Sequence, residues 1–516
     1  MCNNPLKCKY MKKIIFFLTL LPLLTSCFDD DSTAWTQKAG DITITGVEGS
    51  YTSMSFVGEH LTISPTVTTD YSDSDMDYQW LLISQKTGST DEQGKTIEPE
   101  LLSSTKDLDF EVNLPPGEYQ LRLYAKAKSN DYTVTKFATL MVQTDFTQGF
   151  YILKETAEGN TELDLLNSKD ILSENLLQQV KGAPLKGKPL LLIPYYKMRY
   201  VDTKTDEIKT NHCLMLNTED NNYYIVRTTD LETMYDRSNI FFDEAPADEI
   251  PYALHQNAMN YTILQTNKGI YRVSGGTGQF GVATSVVPTS KYYVYDPYSY
   301  GGGAFWDPVN HSLVGKNYNQ RASTLVANLT NYDCLYCGYV YLASARNQFI
   351  LRDNSTGDRY LYSLKGAISG MSVTSKKQFD AGSHMAKASY YASNARTATY
   401  IYCIDGGKIY ACNINAADLA EVEIRPEGIP SNENITYVAN QFWFSNYQGT
   451  PFDYLIVGTQ SGNTYKLYFY NTNGGAPTGA PVKTVQGTGI LKKVRFMSQN
   501  VYSSDFTQRF PYTTFD

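Results

Sequence analysis

The sequence predicts an all-β protein in which an immunoglobulin-like antiparallel β-sandwich precedes a β-propeller of about seven blades. Three observations predict this fold. The chain of 516 residues contains 42 Tyr but only 4 Trp, and such a composition favours strands over helices. Short stretches of alternating apolar and polar residues fill residues 41–145, which is typical of a sandwich. Hairpins then recur at an even spacing through residues 146–516, which is typical of radially repeated sheets.

The N-terminus has the pattern of a secretory signal. Residues 11–27 begin with a methionine and two lysines, and an apolar run follows from Ile14 to Leu24. That run is shorter than the about 20 apolar residues that a membrane-spanning helix needs. We therefore assign residues 1–26 to a signal peptide. Because Met11 is the more natural start, residues 1–10 are interpreted as an upstream extension.

A lipidation signal follows. The residues from Leu24 to Cys27 resemble a bacterial lipobox, which implies cleavage before Cys27 and acylation of its thiol; the alternative is an ordinary signal with a chance cysteine. The acidic run Asp29–Asp31 resembles the surface-export signal of Bacteroidetes-type lipoproteins, and the alternative is a solvated linker. Residues 27–40 are thus predicted to form a lipidated cysteine and a linker that hold the protein at the outer-membrane surface.

The net charge of the chain excludes some partners. It is −9 for the whole sequence, and removal of residues 1–26 takes away four lysines and no acid, which makes it −13. Nucleic acid is disfavoured as a partner because such proteins carry a basic surface. An acidic protein is not attracted to an anionic membrane, so the acyl chains must supply the membrane attachment.

Residues 41–145 are predicted to form an antiparallel sandwich of six or seven short strands. The stretches with strand character are DITITGV, HLTISPTVTT, DYQWLLIS, DLDFEVNL, GEYQLRLYAKA and KFATLMVQT. Trp80 falls in the third of these stretches, and we expect it to pack in the core.

Residues 146–516 are predicted to form the propeller. The centres of the recurring hairpin turns are separated by 42 to 62 residues, which is the length that a four-stranded blade needs. The turn centres are Gly159, Asn221, Gly269, Val309, Gly357, Gly406 and Gly462. One or two large sandwiches are the alternative, but they would not keep so even a spacing. The strand-like segment 489–498 follows the last hairpin and is expected to complete the first blade.

Few segments have helical character. Residues 173–181 combine a Ser cap with Gly182 as a stop and predict a short helix between blades. Residues 230–235 are expected to form another.

Several motif-like strings carry no chemistry in their context. Gly276–Gly281 fits GxGxxG, but a β-branched segment with a proline follows where a helix is required, so we interpret it as a loop between blades. The alternating acids Asp73, Asp75 and Asp77 lack the glycine and glutamate of a calcium-binding EF-hand loop, and a solvated acidic loop is expected.

The cysteines predict neither a zinc site nor a disulfide framework. Cys334–Cys337 is a lone CxxC without a second pair at zinc-site spacing. Cys403 and Cys412 flank a turn without facing each other in a simple register, and are expected to be buried free thiols.

No catalytic, metal or cofactor site is predicted. The strings HExxH and GxSxG, the Walker motif and the protein-kinase motifs are missing from the sequence, and its five histidines lie far apart. A convergent site in the propeller channel stays open, because blades bring distant residues together.

Aromatic residues beside glycine-rich or polar loops are the candidate ligand-binding residues. A run of three glycines, Gly301–Gly303, is expected to form a loop whose neighbouring rings face a ligand, and the segment around residue 443 offers a second pair. The alternative is packing between blades. The predicted binding residues are Tyr298, Tyr300, Trp306, Trp443 and Tyr447.

The layout also resembles a known family. Trp80 followed by PPGEYQLRLYAK resembles a polycystic-kidney-disease (PKD) type domain, although YQWLLIS replaces the usual WDFGDG. With the lipobox and acidic run, the whole chain resembles the PKD-like family lipoproteins of Bacteroidetes. The most specific stretches are residues 149–166 and 301–314.

This resemblance implies a function. Such proteins belong to starch-utilisation-type (Sus) loci, beside a SusC-type TonB-dependent transporter and a SusD-type lipoprotein. It implies a non-catalytic, lipid-anchored surface protein that binds an oligomeric nutrient, peptide or glycan, on a propeller face, and it brings no catalytic residue. The alternatives are an enzyme in the propeller funnel (a glycan lyase or hydrolase) and a purely structural subunit of the transporter complex.

Overall fold

A computed structural model describes most of the chain. It covers residues 40–54, 60–84, 87–89, 94–112, 114, 117–143, 145–202, 205–243, 248–256, 261–273, 276–296, 301–443 and 451–498. Among these residues, no helix has the length and apolar character needed to cross a membrane. The chain divides into two compact units, the first ending at Val142 and the second starting at Gln143, with two short earlier segments grouped with the second.

The first unit is built from antiparallel strands. Its strands are β1 (Ile42–Thr45), β2 (Ser50–Met54), β3 (His60–Ile63), β4 (Thr66–Thr69), β5 (Met76–Ile83), β6 (Glu100–Ser103), β7 (Leu108–Glu111), β8 (Gly117–Ala127) and β9 (Thr133–Gln143). Five of them form one sheet in the order β2-β9-β8-β5-β6, while β1 pairs with β4 and β3 with β7. The predicted stretch HLTISPTVTT is divided between β3 and β4 at Pro65, because proline cannot donate to a sheet ladder.

Trp80 lies at the centre of this unit, as predicted. Its side chain is fully buried, and Leu123, which lies opposite it on β8, is also fully buried. Its indole Nε1 donates a hydrogen bond of 3.0 Å to the carbonyl of Lys106. Because this N–H has an acceptor, burial of the indole ring leaves its one polar group hydrogen-bonded.

The second unit consists of seven antiparallel sheets, which we call blades 1 to 7 and describe from the first strand outward. Blade 1 consists of β38 (Ile490–Met497), β10 (Gly149–Glu155), β11 (Thr161–Asn167) and β12 (Leu172–Ser173), and blade 2 of β13 (Pro189–Asp202), β14 (Glu207–Thr218), β15 (Tyr223–Arg227) and β16 (Thr233–Asp236). Blade 3 consists of β17 (Pro251–Gln256), β18 (Thr262–Thr266), β19 (Gly269–Val273) and β20 (Ser285–Val286). Blade 4 consists of β21 (Tyr293–Asp296), β22 (Gly302–Asp307), β23 (Ser312–Lys316) and β24 (Ala322–Val326). Blade 5 consists of β25 (Tyr332–Tyr339), β26 (Asn347–Asp353), β27 (Arg359–Ala367) and β28 (Gly370–Gln378). Blade 6 consists of β29 (Tyr390–Ser393), β30 (Tyr400–Asp405), β31 (Lys408–Asn413) and β32 (Glu421–Ile424). Blade 7 consists of β33 (Asn434–Trp443), β34 (Phe452–Ser461) and β35 (Thr464–Asn473), with β36 (Ala476–Pro477) and β37 (Lys483–Thr488) both paired with β35.

The even hairpin spacing in the sequence has a simple structural origin. Each predicted turn lies between the second and third strands of one blade, from Gly159 between β10 and β11 to Gly462 between β34 and β35. The spacing is therefore the length of one four-stranded blade. The prediction of a propeller with about seven blades is confirmed.

The last strand closes the ring. β38 pairs with β10, with Gly149 opposite Met497 and Phe150 opposite Phe496. The ring of Phe150 also lies 4.9 Å from that of Phe469 in blade 7, so apolar packing supports the same closure. The predicted completion of the first blade by the C-terminal segment is confirmed, and the first strand edge is paired rather than open.

The first predicted helix is present but is capped by a distant residue. Helix α1 (Leu176–Lys181) ends at Gly182 in the left-handed region (φ +80°), as predicted. Its first turn is not capped by the predicted serine. Instead, the Glu162 carboxylate on β11 accepts hydrogen bonds from the backbone N–H groups of Leu177 (2.8 Å) and Gln178 (3.0 Å).

The second helix prediction is wrong. The predicted segment 230–235 overlaps β16 (Thr233–Asp236), which is the outer strand of blade 2 and pairs with β15. Pairing with a neighbouring strand decides the conformation of so short a segment. A single further helical turn, α2 (His384–Lys387), precedes β29 and was not predicted.

Candidate functional site

A cavity lies where the first strands of the propeller blades begin, and we call it the funnel. Its volume is about 460 Å³. Residues of β13, β25, β26, β27, β29 and β38, and the residues directly before β21 and β29, line it, so five blades contribute. First strands of neighbouring blades lie side by side in the ring, which brings residues together that are far apart in the sequence. Converging loops and strand ends of this kind are the usual place of a ligand site in a propeller.

The lining of the funnel is cationic although the protein is acidic. Five of the described lining residues are basic and none of the described ones is acidic; the basic residues are Lys291, Arg352, Arg359, Lys492 and Lys493. The whole chain, by contrast, has a net charge of −9. The funnel is therefore a local concentration of positive charge on an acidic protein, which would attract anions.

Two of these cations are neutralised by carboxylates outside the lining. Lys492 Nζ lies 2.8 Å from Glu155 Oε2. Arg352 Nη2 lies 2.8 Å from Asp333 Oδ2. Ion pairs of this kind leave little net charge for a ligand.

Arg359 and Lys291 have no such partner. Among the residues that the structure describes, neither has a carboxylate within ion-pair distance. Lys291 is exposed, and its Nζ lies 5.6 Å from the ring centre of the adjacent Tyr292. These two side chains therefore provide the uncompensated positive charge of the funnel.

The guanidinium of Arg359 is held in place by one of its nitrogens. Nη1 donates a hydrogen bond of 2.7 Å to the carbonyl of Ala388 and another, of 2.5 Å, to the hydroxyl of Tyr391. Nε is buried and finds no acceptor in the described part of the chain. The orientation of the group is thus defined by the protein, while much of its donor capacity is unused.

Tyrosines supply the flat surfaces of the funnel. Tyr336 and Tyr391 are buried, with ring centres 5.7 Å apart, and Tyr292 and Tyr390 are half-buried. Burial raises the pKa of Tyr391 to about 12, although the neighbouring Arg359 acts in the opposite direction. Tyr391 is therefore a neutral hydrogen-bonding group at physiological pH and not a base.

The sequence-predicted binding residues are not found in the funnel. Cys27, Tyr298, Tyr300 and Tyr447 lie outside the described residues. The two predicted residues that are described, Trp306 and Trp443, are both buried.

Trp306 and Trp443 serve as packing residues. Trp306 is 5% exposed in the core shared by blades 4 and 5, and Trp443 is 6% exposed in the core that joins blades 1 and 7. Trp443 packs against Phe496 with ring centres 5.3 Å apart. These placements correct the expectation that the two rings face a ligand, because a buried ring offers no surface for stacking. They agree with the alternative of packing between blades.

The sequence contains a signal for the funnel that local motif patterns do not reveal. Basic residues stand at the beginning of first strands, as in Lys291 before β21 and the pair Lys492–Lys493 in β38. In an acidic chain this placement is informative once the first strand of each blade is known. Lys493 comes near Lys291 only because β38 closes the ring as the first strand of blade 1.

The other strings have structural roles. Gly278 of the GxGxxG string adopts φ +83° between β19 and β20, and a Cβ there would lie 2.0 Å from the carbonyl oxygen of Arg199 in blade 2. The glycine therefore permits close backbone contact between blades. Asp75 of the acidic run accepts hydrogen bonds from the backbone N–H (2.9 Å) and hydroxyl (2.6 Å) of Ser129. In the described residues, no group of three or more His, Cys, Asp or Glu side chains is placed to hold a metal.

Residues 27–189 match the PKD-like family. This confirms the family resemblance for the PKD-like part of the chain, including the stretch 149–166 that opens the propeller. A search of curated proteins found no significant match.

Several solved structures are similar to the chain. A quinonprotein alcohol dehydrogenase-like protein from Bacteroides thetaiotaomicron is 14% identical, with 87% of this chain and 96% of that chain covered and a TM-score of 0.42. An inactive virginiamycin B lyase from Staphylococcus aureus with quinupristin is 11% identical, with coverage of 61% and 93% and a TM-score of 0.34. The WD40 domain of SCAP from fission yeast is 10% identical, with coverage of 62% and 75% and a TM-score of 0.31. The sheet order and the ring closure of this chain establish its propeller fold.

Proposed function

We propose that the protein is a non-catalytic, lipid-anchored binding protein of the cell surface that holds an oligomeric nutrient in the funnel. It would act as an accessory to a SusC/SusD-type TonB-dependent uptake system and present a captured peptide or glycan to the transporter. The observation that carries the proposal is the funnel itself, where five blades provide cations and tyrosines around one cavity of about 460 Å³. Rings and charged groups that converge on a concave site are typical of ligand recognition.

The cell-surface location is supported by sequence features alone. The lipobox-like Leu24–Cys27 and the acidic run Asp29–Asp31 are the features of an exported lipoprotein. The expected result is that protease added to intact cells degrades the protein. Replacement of Cys27 by alanine should leave the chain unacylated and released from the membrane fraction. Protection from protease in intact cells would contradict surface display.

An enzyme in the funnel is the rival proposal. A hydrolase would need paired carboxylates, and a lyase would need a group that takes up a proton near neutral pH. The described lining residues include no Asp, Glu or His, and Tyr391 has a pKa of about 12. The lining thus supports binding rather than acid–base chemistry.

Binding and catalysis can be tested on the same samples. The chain from Phe28 onward would be screened against peptides and polysaccharides, and each mixture would also be analysed for products. We expect binding without product formation. Product release would favour the enzyme, and failure to bind any ligand would favour a purely structural subunit.

A variant that fills the funnel tests the place of binding. Ser389 is exposed and lines the cavity, so Ser389→Trp introduces a large ring there without removing a core contact. Ser372→Trp on the exposed face of β28 is the matched control. The expected result is a tenfold or greater loss of affinity in the first variant only. Unchanged affinity in both variants would remove the funnel from the proposal.

A further inference from the structure

The geometry points to a single ligand class for the funnel: acidic glycans, that is, oligosaccharides with carboxylate or sulfate groups, whose acidic groups are bound by Arg359 and Lys291. This inference rests on the proposed function and narrows it, since the sequence left open whether the ligand is a peptide or a glycan.

The uncompensated charge of the funnel is the first argument. Of the five lining cations, Lys492 and Arg352 are neutralised by Glu155 and Asp333, whereas Arg359 has no carboxylate partner in the described part of the protein. A partly buried cation without a counterion is costly, because it has lost water and gained no charge partner. An acidic ligand would supply the missing partner, whereas a neutral sugar would not.

The hydrogen-bonding state of Arg359 is the second argument. Its Nη1 is already bound to Ala388 and Tyr391, and this contact orients the planar group. The other edge of the guanidinium, formed by Nε and Nη2, makes no hydrogen bond to the described residues, and its Nε is buried. That edge has the two parallel donors that match the two oxygens of a carboxylate or sulfate.

The aromatic lining decides for a sugar over a peptide. Tyr292 and Tyr390 are half-buried in the same cavity as the two cations, and each can offer part of a ring face. Sugar rings have apolar faces that stack on aromatic side chains, and an acidic oligosaccharide alternates such faces with anionic groups. Lys291 lies next to Tyr292 in the chain, so charge and ring are presented together.

The test uses calorimetric titration of the chain from Phe28 onward. The probes are oligogalacturonate for carboxylate groups, chondroitin sulfate oligosaccharides for sulfate groups, a neutral malto-oligosaccharide and a glutamate-rich peptide. We expect one or both acidic glycans to bind at least tenfold more tightly than the neutral sugar and the peptide. Their affinity should fall as salt is raised, since ions screen partly exposed charges.

Charge-altering variants locate the acidic group. Lys291→Glu and Arg359→Gln should each weaken acidic-glycan binding about tenfold or more. Lys365→Glu, on the exposed face of β27 away from the funnel lining, is the matched control and should have no effect. Arg359 also donates a hydrogen bond to the carbonyl of Ala388, so its variant is checked for folding by circular dichroism. The exposed Lys291 makes no such contact among the described residues and keeps the test decisive.

The outcomes separate this inference from the proposed function. If the neutral sugar or the peptide binds as tightly as the acidic glycans, or if Lys291→Glu and Arg359→Gln both bind normally, the inference is overturned and the proposed function stands. If no probe and no member of the wider screen binds, both fail.

Discussion

The hydroxyl of Tyr465 donates a hydrogen bond of 2.6 Å to Oδ2 of Asp164, although 301 residues separate the two in the sequence. Tyr465 lies on β35 of blade 7 and Asp164 on β11 of blade 1, and both side chains are fully buried. The other carboxylate oxygen of Asp164 lies 2.7 Å from Nζ of Lys154, which is 1% exposed. Ring closure therefore depends on a buried polar cluster as well as on the pairing of β38 with β10.

Tyr465→Phe is expected to lower the free energy of unfolding by about 1–3 kcal/mol, because a buried carboxylate oxygen loses its donor. Urea unfolding would measure the change. Tyr318→Phe is the matched control, since Tyr318 is half-buried and its hydroxyl makes no hydrogen bond among the described residues. Equal stability of the two variants would show that the contact between blades 1 and 7 contributes nothing.

Lys154→Met is expected to cost more, about 3–5 kcal/mol at neutral pH, because it leaves the buried Asp164 without its cation. Burial already raises the pKa of Asp164 above its usual 3.8, and Lys154 opposes that effect. Its removal should raise the pKa further. When the pKa of a carboxyl group is higher in the folded than in the unfolded state, the protein loses stability as the pH rises above the unfolded-state pKa. The deficit of the variant should therefore grow from about pH 4 upward, as measured by unfolding at several pH values.

The matching double variant tests the cause of that deficit. Lys154→Met combined with Asp164→Asn removes the uncompensated acid and should recover part of the lost stability, with a weaker dependence on pH. A pH-independent deficit in the single variant would contradict the electrostatic explanation.

His255 predicts loss of stability in mild acid. It is buried, with Nε2 3.1 Å from the hydroxyl of Tyr293 and 3.3 Å from Nζ of Lys316. Burial and the adjacent lysine hold its pKa well below 6.5. Below about pH 6.5 this histidine is protonated in the unfolded chain but stays neutral in the folded protein. The free energy of unfolding should therefore fall by up to about 1.4 kcal/mol for each pH unit of acidification. His255→Gln should reduce this slope. Identical slopes in wild type and His255→Gln would rule out this assignment.

Trp306→Ala and Trp443→Ala are expected to reduce stability by about 3–5 kcal/mol each, because both rings are buried in cores between blades. Ligand affinity of the folded fraction should remain unchanged. Unfolding curves and binding titrations on the same preparations would separate the two effects. A stable variant that loses binding would restore these tryptophans as ligand-binding residues.

The thiols are expected to be inert in the folded protein. The chain from residue 28 onward contains five cysteines, and all five are buried and free. Burial raises the pKa of Cys412 to about 12, so the reactive thiolate is scarce at neutral pH. A thiol reagent at about pH 7.5 should label five groups only after unfolding. Rapid labelling of any of them in the native protein would contradict this burial. The free state of Cys403 and Cys412 also confirms the sequence prediction, since Cys403 lies opposite Tyr410 and Cys412 opposite Ile401.

Local pattern was enough to predict the architecture. Turn residues such as Gly159 and Gly462 recur at the length of one blade, because every blade spends a similar number of residues on its four strands. Alternation in β8 marked the sandwich core, and the position of β38 after the last hairpin indicated ring closure. These signals are short-range, and the period of a strand or a repeat is visible in any one stretch of sequence.

Side-chain exposure at the candidate site was not predictable in the same way. Trp306 follows a run of three glycines and was expected to lie on a loop, but Gly302 and Gly303 belong to β22, where the close approach of β21 leaves no room for a Cβ at Gly303. Whether an aromatic ring faces a ligand or a neighbouring blade depends on packing that residue order does not specify.

The sequence by itself determined the all-β composition, the repeated hairpins and the predicted export signal, because each depends on residues that are neighbours in the chain. Only the tertiary structure decided which side chains share a cavity. Lys291, Arg359 and Lys493 belong to blades 4, 5 and 1, and they line one cavity because the closed ring brings strands of different blades together around it. Electrostatic recognition depends on distance in space, and that distance is set by closure of the ring rather than by separation along the chain.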